Sequence, residues 1–315
     1  MPVLLIANNK LSGAIPSSIC SATNLEVLDL SSNSLNGSIP SCLAKQSLTV
    51  LNLGGNNIRG NMPGNFSEEC RLETIYLSHN HLEGKISRSL SNCSNLKVLN
   101  VGSNKISDIF SCWLRRLSYL HVLVLHFNNF NGNIDCSGVN YTWPALQIID
   151  LASNNFSGIL PRNLFLDLES MKVDSAISRV DHLYAANRIF FGDDSSAQVE
   201  IYYQDTVTLT LMGQEMSAPK IWFTFNSIDF LNNSFVETVG ELKSLYLLNL
   251  SHNVLSGQIS PATGNLKQLG SLDLSFNKLN GHVPEKLSGI PQLSFLNLSY
   301  NELVEDTSRQ PNSNI

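Results

Sequence analysis

Hydrophobic and polar residues alternate along this chain in a unit of about 24 residues. One copy reads LDLSSNSLNGSIP over residues 28–40. Its first half alternates leucine with polar residues, which predicts a short strand with the leucines facing a core and the intervening side chains on the opposite face. Its second half combines a glycine with an Ile-Pro pair, which predicts a turn followed by a second extended segment.

An asparagine stands at the same place in every copy of the unit. The eleven copies carry Asn9, Asn33, Asn56, Asn80, Asn104, Asn128, Asn154, Asn233, Asn253, Asn277 and Asn301. Such regular spacing lets each coil stack on the previous one through a parallel strand. A carboxamide has one acceptor and two donors, and can bond the backbone groups that a tight turn leaves without partners. The repeat therefore predicts an α/β-type solenoid with a concave parallel β-sheet and a ladder of asparagines.

The unit disappears between the seventh and eighth copies. We divide the chain into repeats over 1–161 (seven coils), an island over 162–220, repeats over 221–304 (four coils) and a polar tail, expected to be disordered, over 305–315. Residues 199–211 alternate with period two and predict one half-buried strand. Residues 163–173 predict a short helix with Leu164, Leu168 and Met171 on one side.

Two further features of this region carry expectations. The island holds five Lys or Arg against nine Asp or Glu, which favours a basic partner over an acidic one. The copy anchored at Asn233 is four residues short and skips the Gly-x-Ile-Pro segment, which predicts a local distortion on the convex side of that coil.

The cysteines and the glycosylation sequons indicate in which cellular compartment the protein resides. The six cysteines all precede residue 137 and show no Cys-x-x-Cys spacing. Neighbours one repeat apart, especially Cys70 and Cys93, would lie within disulfide reach if the coils stack, but we favour free buried thiols. Eight Asn-x-Ser/Thr sequons favour passage through a secretory pathway, although a Leu-Asn-Leu-Ser repeat also creates two of them by accident. The candidate glycosylation sites are Asn36, Asn65, Asn92, Asn140, Asn155, Asn232, Asn249 and Asn297.

Composition and motifs remove several classes of function. The formal charge is -6 and no Lys/Arg cluster is long enough to follow a phosphate backbone, so nucleic acid is not an expected partner. The chain has no nucleophile elbow, Walker loop or kinase motifs, and His79 and His81 only flank a ladder asparagine. We expect no catalytic residue, no metal and no cofactor. No apolar run approaches the roughly 20 residues that span a bilayer, and no clear signal peptide is present.

The Gly-x-Ile-Pro half of the unit resembles the plant-specific class of extracellular leucine-rich repeats. The tracts YYQDTVT at 202–208 and FNSIDF at 225–230 are similar to plant receptor-like proteins, which carry an island before four final repeats. More narrowly, SDIFSC at 107–112 and LQIIDLASN at 146–154 resemble the Verticillium-wilt-resistance type. The resemblance implies a right-handed superhelix interrupted by an island domain, and a fragment from the C-terminal part of an ectodomain.

The same resemblance implies a role in plant immunity. Receptor-like proteins of this type are cell-surface receptors without a kinase, on the extracellular side of the plasma membrane. They recognise a proteinaceous or peptide ligand that derives from a pathogen or from damage. The island and the last four repeats recruit a co-receptor of the somatic-embryogenesis-receptor-kinase type, and an adaptor receptor kinase joins the full-length parent.

Three other functions remain open. One is a secreted leucine-rich-repeat inhibitor of a microbial cell-wall-degrading enzyme, although such inhibitors lack an island. Another is a receptor for a developmental peptide, which would differ only in its ligand. The third is a truncated soluble decoy, which would fit a chain without terminal caps or a membrane helix.

Candidate binding residues are aromatic and histidine side chains that we expect to be exposed beside the concave strands, where they offer large contact areas. In the repeats these are Tyr76, His79, His126, Phe127, His252, Phe276 and Tyr300. In the island they are Tyr202, Tyr203, Gln204 and Asp205, for which docking of the island onto the solenoid is an equal alternative.

Overall fold

The computed structural model describes residues 2–136, 138, 141–160, 164–165, 167–171, 225–236 and 244–305, and the backbone of four strands between 186 and 218. Within these ranges eleven strands form one parallel sheet in chain order. We number the coils 1 to 11 by these strands, which are Val3–Leu5, Val27–Asp29, Val50–Asn52, Thr74–Tyr76, Val98–Asn100, Val122–Val124, Ile148–Asp150, Ser227–Asp229, Leu247–Asn249, Ser271–Asp273 and Phe295–Asn297. The predicted solenoid with its parallel sheet is confirmed.

The second half of most coils forms a shorter strand that pairs with its neighbours in small parallel sheets. These strands are Ser12–Ala14, Ser34–Asn36, Arg59–Asn61, His81–Glu83, Asn131–Gly132, Asn155–Gly158, Ser234–Phe235, Ser256–Gln258, Lys278–Gly281 and Glu302–Leu303. The helical segments are short 3-10 turns at Ser17–Ser21, Ser41–Ala44, Arg88–Asn92, Cys112–Arg116, Glu169–Met171, Pro261–Asn265 and Glu285–Gly289.

The leucines and isoleucines of the unit meet in a core that runs through the stacked coils. One cluster of buried side chains extends from Ile15 to Ile290. Burying one such side chain contributes about 1.5–3 kcal/mol. A single coil has too little surface to bury its own leucines, so the contacts between neighbouring coils stabilise the array.

The repeated asparagine connects each coil to the preceding coil through both its nitrogen and its oxygen. Asn128 donates from Nδ2 to the carbonyl of Val101 at 3.0 Å in the preceding coil, and to the carbonyls of Leu125 and His126 in its own coil. Its Oδ1 accepts from the amide of Ile106 at 2.9 Å. The same pattern recurs from Asn33 to Asn277. These bonds satisfy backbone groups that the strand ladder does not reach.

The sheet continues without a break across the site of the island. Ile148–Asp150 of coil 7 pairs in register with Ser227–Asp229 of coil 8. In the shortened coil, Asn233 keeps its ladder bonds and Phe235 is fully buried. The distortion predicted for this coil falls on residues 237–243, which lie outside the described residues.

The described part of the island contains two antiparallel hairpins. Ala186–Phe191 pairs with Val199–Gln204, and Val207–Leu211 pairs with Gln214–Ala218. The prediction of one strand over 199–211 is therefore wrong, because the alternating tract is divided between two hairpins. Period-two alternation marks an extended chain but does not identify its pairing partner.

Residues that precede the hairpins pack into the core of the solenoid. Leu164, Leu168 and Met171 are fully buried there, as the predicted one-sided pattern implies, although Glu169–Met171 forms a 3-10 turn. Asp167 Oδ2 forms an ion pair with Nη1 of the buried Arg115 at 2.6 Å. The Arg115 guanidinium also lies over the Trp143 ring. These contacts anchor the first residues of the island to coils 5 to 7.

The expectation of free thiols is wrong. Three disulfides join Cys20 to Cys42, Cys70 to Cys93 and Cys112 to Cys136, each between adjacent coils. Their Cα atoms are 4.7 to 5.8 Å apart, within the range that a disulfide spans. Stacking at the strand spacing brings cysteines one repeat apart into reach.

We predict that Asn128→Ala lowers the free energy of unfolding by about 1–3 kcal/mol, because it leaves the buried amide of Ile106 without an acceptor. The matched control is Asn129→Ala, since this neighbouring side chain is exposed, and its effect should stay within about 0.5 kcal/mol. Chemical denaturation of both variants measures the difference. Equal effects would contradict the role assigned to the ladder.

Non-reducing peptide mapping of the secreted chain should recover the three pairs Cys20–Cys42, Cys70–Cys93 and Cys112–Cys136. Six cysteines allow 15 complete pairings, so this result would be specific. Any pair between cysteines of non-adjacent coils would contradict the stacking described here.

Candidate ligand-binding surface

A row of Asp and Asn side chains occupies the last position of most of the concave strands. In coils 2 and 3, Asn52 Nδ2 donates to Asp29 Oδ2 at 3.2 Å, and Asn297 makes the equivalent bond to Asp273 in coils 10 and 11. In each of these residues Oδ1 accepts from the backbone amide two residues on, as Asp29 does from Ser31 and Asn52 does from Gly54. Sequence analysis missed this second ladder, although the alternation of Asp and Asn before the second leucine is visible across the repeats.

This ladder changes character at the island. Asp150 and Asp229 stand opposite each other in paired strands, so two carboxyl groups are neighbours, whereas Asp29–Asn52, Asp229–Asn249 and Asp273–Asn297 each combine Asp with Asn. Burial raises the pKa of Asp229 well above its ordinary value, and the Asp150 carboxylate raises it further. His126 Nδ1 lies 2.7 Å from Asp150 Oδ2, and both side chains are buried. The junction between coils 7 and 8 therefore holds a compact group of titratable side chains.

The residue immediately before each ladder asparagine occupies what we call the rim position. The backbone there is left-handed in every coil, with φ between 47° and 65°. The cause is local, because Asn277 bonds the carbonyls of Leu274 and Ser275, two and three residues earlier, and this contact requires a sharp turn. Non-glycine residues adopt this conformation at a cost, and bulky ones do so rarely.

Five rim positions nevertheless carry exposed Phe, Tyr or His rings, and three of them are consecutive. In coils 9 to 11, the ring of Phe276 stacks on His252 and on Tyr300, each at 4.1 Å between centroids with the planes within 15°. We call these three residues the aromatic row. Phe276 is 41% exposed and Tyr300 71% exposed, so the row presents its ring edges to solvent. Phe127 is also exposed, in coil 6.

The structure separates the candidate residues into groups. His252, Phe276 and Tyr300 come together, whereas the exposed His79 in coil 4 and Phe127 in coil 6 are separated along the rim by Ser103.

The expectation that Tyr76 and His126 are exposed is wrong. Tyr76 is 5% exposed and packs in a concave cluster with Val98, Val122, Val124, Ile148 and Phe225. His126 is 1% exposed and bonds Asp150. Strand alternation predicts that these side chains leave the leucine core, but not that other groups cover the concave face above them.

The island candidates are partly described. Tyr202, Tyr203 and Gln204 end the strand Val199–Gln204 and pair with Arg188, Asn187 and Ala186 respectively. Asp205 lies outside the described residues.

Neither a metal-binding cluster nor a membrane-spanning helix is present among the described residues. No group of three or more His, Cys, Asp or Glu side chains is placed there to hold a metal ion. Within the same residues, no helix has the length and apolar character needed to cross a membrane.

Comparison with known proteins agrees with this architecture. The family described as Leucine rich repeat matches residues 243–303, Leucine Rich repeats (2 copies) matches 70–115, and Leucine Rich Repeat matches 24–46, 47–68 and 145–166. Among solved structures, the crystal structure of PEPR1-AtPEP1 superposes with a TM-score of 0.72 at 28% identity, over 96% of this chain and 35% of that one. A TDR receptor matches at 23% identity with a TM-score of 0.62, over 93% of this chain and 46% of that one, which shows the fold alone. The chain is a leucine-rich-repeat solenoid.

Sequence relatives narrow the class. Receptor-like protein 35 of Arabidopsis thaliana is 40% identical over 77% of this chain, and Receptor-like protein 54 of the same plant is 37% identical over 78%. The chain belongs to the plant leucine-rich-repeat receptor-like proteins. It spans 24% and 31% of the length of these two relatives.

The carboxyl pair predicts a pH dependence. A carboxyl group with a raised pKa in the folded state favours folding most below its ordinary pKa of 3.8, and this contribution is lost as the pH rises through the folded value. We therefore expect the unfolding temperature of Asp229→Asn to exceed that of the unmodified chain increasingly as the pH rises from about 4 toward 8.

Thermal unfolding across this range is the measurement, and Asp273→Asn is the matched control because Asn249 and Asn297 flank it. The control should show no such growing gain. A gain of the same size in both variants, or in neither, would contradict the assignment to the Asp150–Asp229 pair.

Proposed function

We propose that this chain is a ligand-binding part of the ectodomain of a kinase-less plant cell-surface immune receptor. It takes a proteinaceous or peptide ligand that derives from a pathogen or from damage. The island and the last four repeats then recruit a co-receptor kinase of the somatic-embryogenesis-receptor-kinase type. An adaptor receptor kinase associates with the full-length parent at the plasma membrane.

The observation that carries this proposal is the aromatic row in coils 9 to 11. Large rings held in place by stacking lose little conformational entropy on binding, and such rings dominate the energetics of protein interfaces. The row lies in the block of four coils that follows the island, where the proposed co-receptor contact would form. It offers an apolar edge that a peptide side chain or a protein surface can cover.

The polar residues beside the row support a peptide or protein partner. Ser299 is exposed beside Tyr300, and its hydroxyl, which donates to Asn297 Oδ1, keeps lone pairs that can accept from a peptide backbone. Apolar anchors combined with a few such polar groups are typical of specific binding surfaces. PEPR1, at 28% identity, was crystallised with AtPEP1, which supports the same use of the fold here.

The disulfides and sequons support an extracellular location. Three disulfides between coils are stable in an oxidising compartment and rare in the cytosol. Four sequon asparagines have exposed side chains, namely Asn36, Asn65, Asn155 and Asn232.

The test is binding of the secreted chain to the ectodomain of a co-receptor kinase, with and without apoplastic fluid from infected plants. We expect binding that depends on the fluid, and we expect Phe276→Ala and Tyr300→Ala to weaken it at least about tenfold. The matched control is Tyr119→Ala, which removes a 57% exposed ring of coil 6 outside the row. Its effect should be less than about threefold.

Two results would contradict the proposal. Equal losses for Tyr119→Ala and Phe276→Ala would remove the row from the interface. A folded chain that binds no co-receptor but blocks a fungal polygalacturonase would be an inhibitor of a cell-wall-degrading enzyme instead.

A further inference from the structure

The eight sequons differ sharply in their surroundings. Asn36, Asn65, Asn155 and Asn232 are exposed, whereas Asn92 is half-buried and donates to the carbonyl of Phe66 at 2.9 Å. Asn140 lies outside the described residues. The remaining two, Asn249 and Asn297, belong to the Asp/Asn ladder of the concave face.

Asn249 cannot carry a sugar in the folded chain. Its side chain is 3% exposed, its Nδ2 donates to Asp229, and its Oδ1 accepts from the amide and hydroxyl of Ser251. A sugar on Nδ2 would have to occupy the space of the neighbouring coil. A chain modified there before folding would be unable to close the ladder between coils 8 and 9, so the folded product lacks this modification.

Asn232 has a different position, because it occupies the rim of coil 8. It is exposed, its φ is 54°, and its Nδ2 approaches Ser153 Oγ at 3.4 Å. Paired strands place Asp229 beside Asn249, so three residues further on Asn232 stands beside His252. Among the exposed sequon asparagines of the described residues, Asn232 alone adjoins the aromatic row, since Asn297 near Tyr300 is half-buried and its Nδ2 donates to Asp273.

One face of the His252 ring is directed toward Asn232. His252 stacks on Phe276 of coil 10 with the planes 13° apart, so the ring normals run along the solenoid. The opposite face of His252 is therefore directed toward coil 8. The C–H groups of a pyranose ring pack well on such an aromatic face, because the face carries partial negative charge.

We propose that Asn232 carries an N-linked oligosaccharide whose first N-acetylhexosamine packs on the free face of His252 and closes the coil 8 end of the aromatic row. The amide nitrogen of Asn232 attacks the anomeric carbon of a lipid-linked oligosaccharyl diphosphate. A C–N bond forms, the C–O bond to the diphosphate breaks, and the amide gives one proton to a base of the transferase. The product keeps one N–H. Because Ser153 lies in coil 7, on the opposite side of Asn232 from His252, the side chain turns from Ser153 toward coil 9 when the sugar packs on the ring.

The sugar changes what the row offers to a partner. With the face of His252 covered, the open part of the row is the edges of Phe276 and the outer side of Tyr300. The inference rests on the extracellular location in the proposed function, but not on ligand or co-receptor binding.

Glycopeptide mass spectrometry of the chain secreted from plant cells tests the modification. We expect sugar at Asn232 and none at Asn249, with Asn36, Asn65 and Asn155 as reference sites. An unmodified Asn232 beside modified reference sites would overturn this inference and leave the extracellular location intact. A secreted chain without sugar at any of the four exposed sequons would overturn both.

Thermal unfolding after trimming to the first sugar tests the contact with His252. Ser234→Ala removes the sequon without changing Asn232, and the matched control is Ser157→Ala, which removes the Asn155 sequon at the paired position of the next lateral strand. Ser234→Ala should lower the unfolding temperature by about 1–3 °C more in the chain with His252 than in the His252→Ala background. Ser157→Ala should act equally in both. Equal effects of Ser234→Ala in the two backgrounds would show that the sugar does not pack on the ring.

Discussion

The turn that ends each concave strand must bond backbone groups that no strand reaches, and the ladder asparagine meets this need in every coil. Its carboxamide bonds carbonyls two and three residues earlier in its own coil and a further carbonyl in the preceding coil, as in Asn128. An unpaired buried amide or carbonyl is costly, so the geometry of this turn varies little along the chain. The constant turn also explains why the rim backbone is left-handed in all eleven coils.

Constant coil geometry converts single residues into rows. A side chain at a given position lies beside its counterpart in the next coil, at about the spacing of paired strands. Rows of opposite or complementary groups stabilise the stack, as Asp29 and Asn52 do. The island brings together two blocks whose rows were not continuous in sequence, and the Asp150–Asp229 pair stands at that seam. At this seam two carboxyl groups face each other, so the stability of the stack depends on the protonation of Asp229.

Sequence patterns predicted the parts of this structure that depend on neighbouring coils in a regular array. The asparagine spacing predicted eleven coils, and the one-sided pattern of Leu164, Leu168 and Met171 matched their burial. The failures concern contacts that the period does not encode. Tyr76 and His126 have outward strand positions, yet groups distant in sequence, including Phe225, bury the concave cluster. The first strand of the island, Ala186–Phe191, stands in a stretch of mixed composition and became recognisable only through its pairing with Val199–Gln204.

The turn at the rim favours small residues, yet the aromatic row places large rings there. Coil 3 uses Gly55 there, and several other coils use serine, which are small residues at a left-handed position. Phe276 and Tyr300 accept a backbone cost of roughly 1–2 kcal/mol each. Stacking at 4.1 Å offsets part of it, since an aromatic pair contributes about 0.5–1.5 kcal/mol beyond its buried area. Folding therefore gains little from these rings over glycine, and their exposed edges are the property that a small residue would not supply.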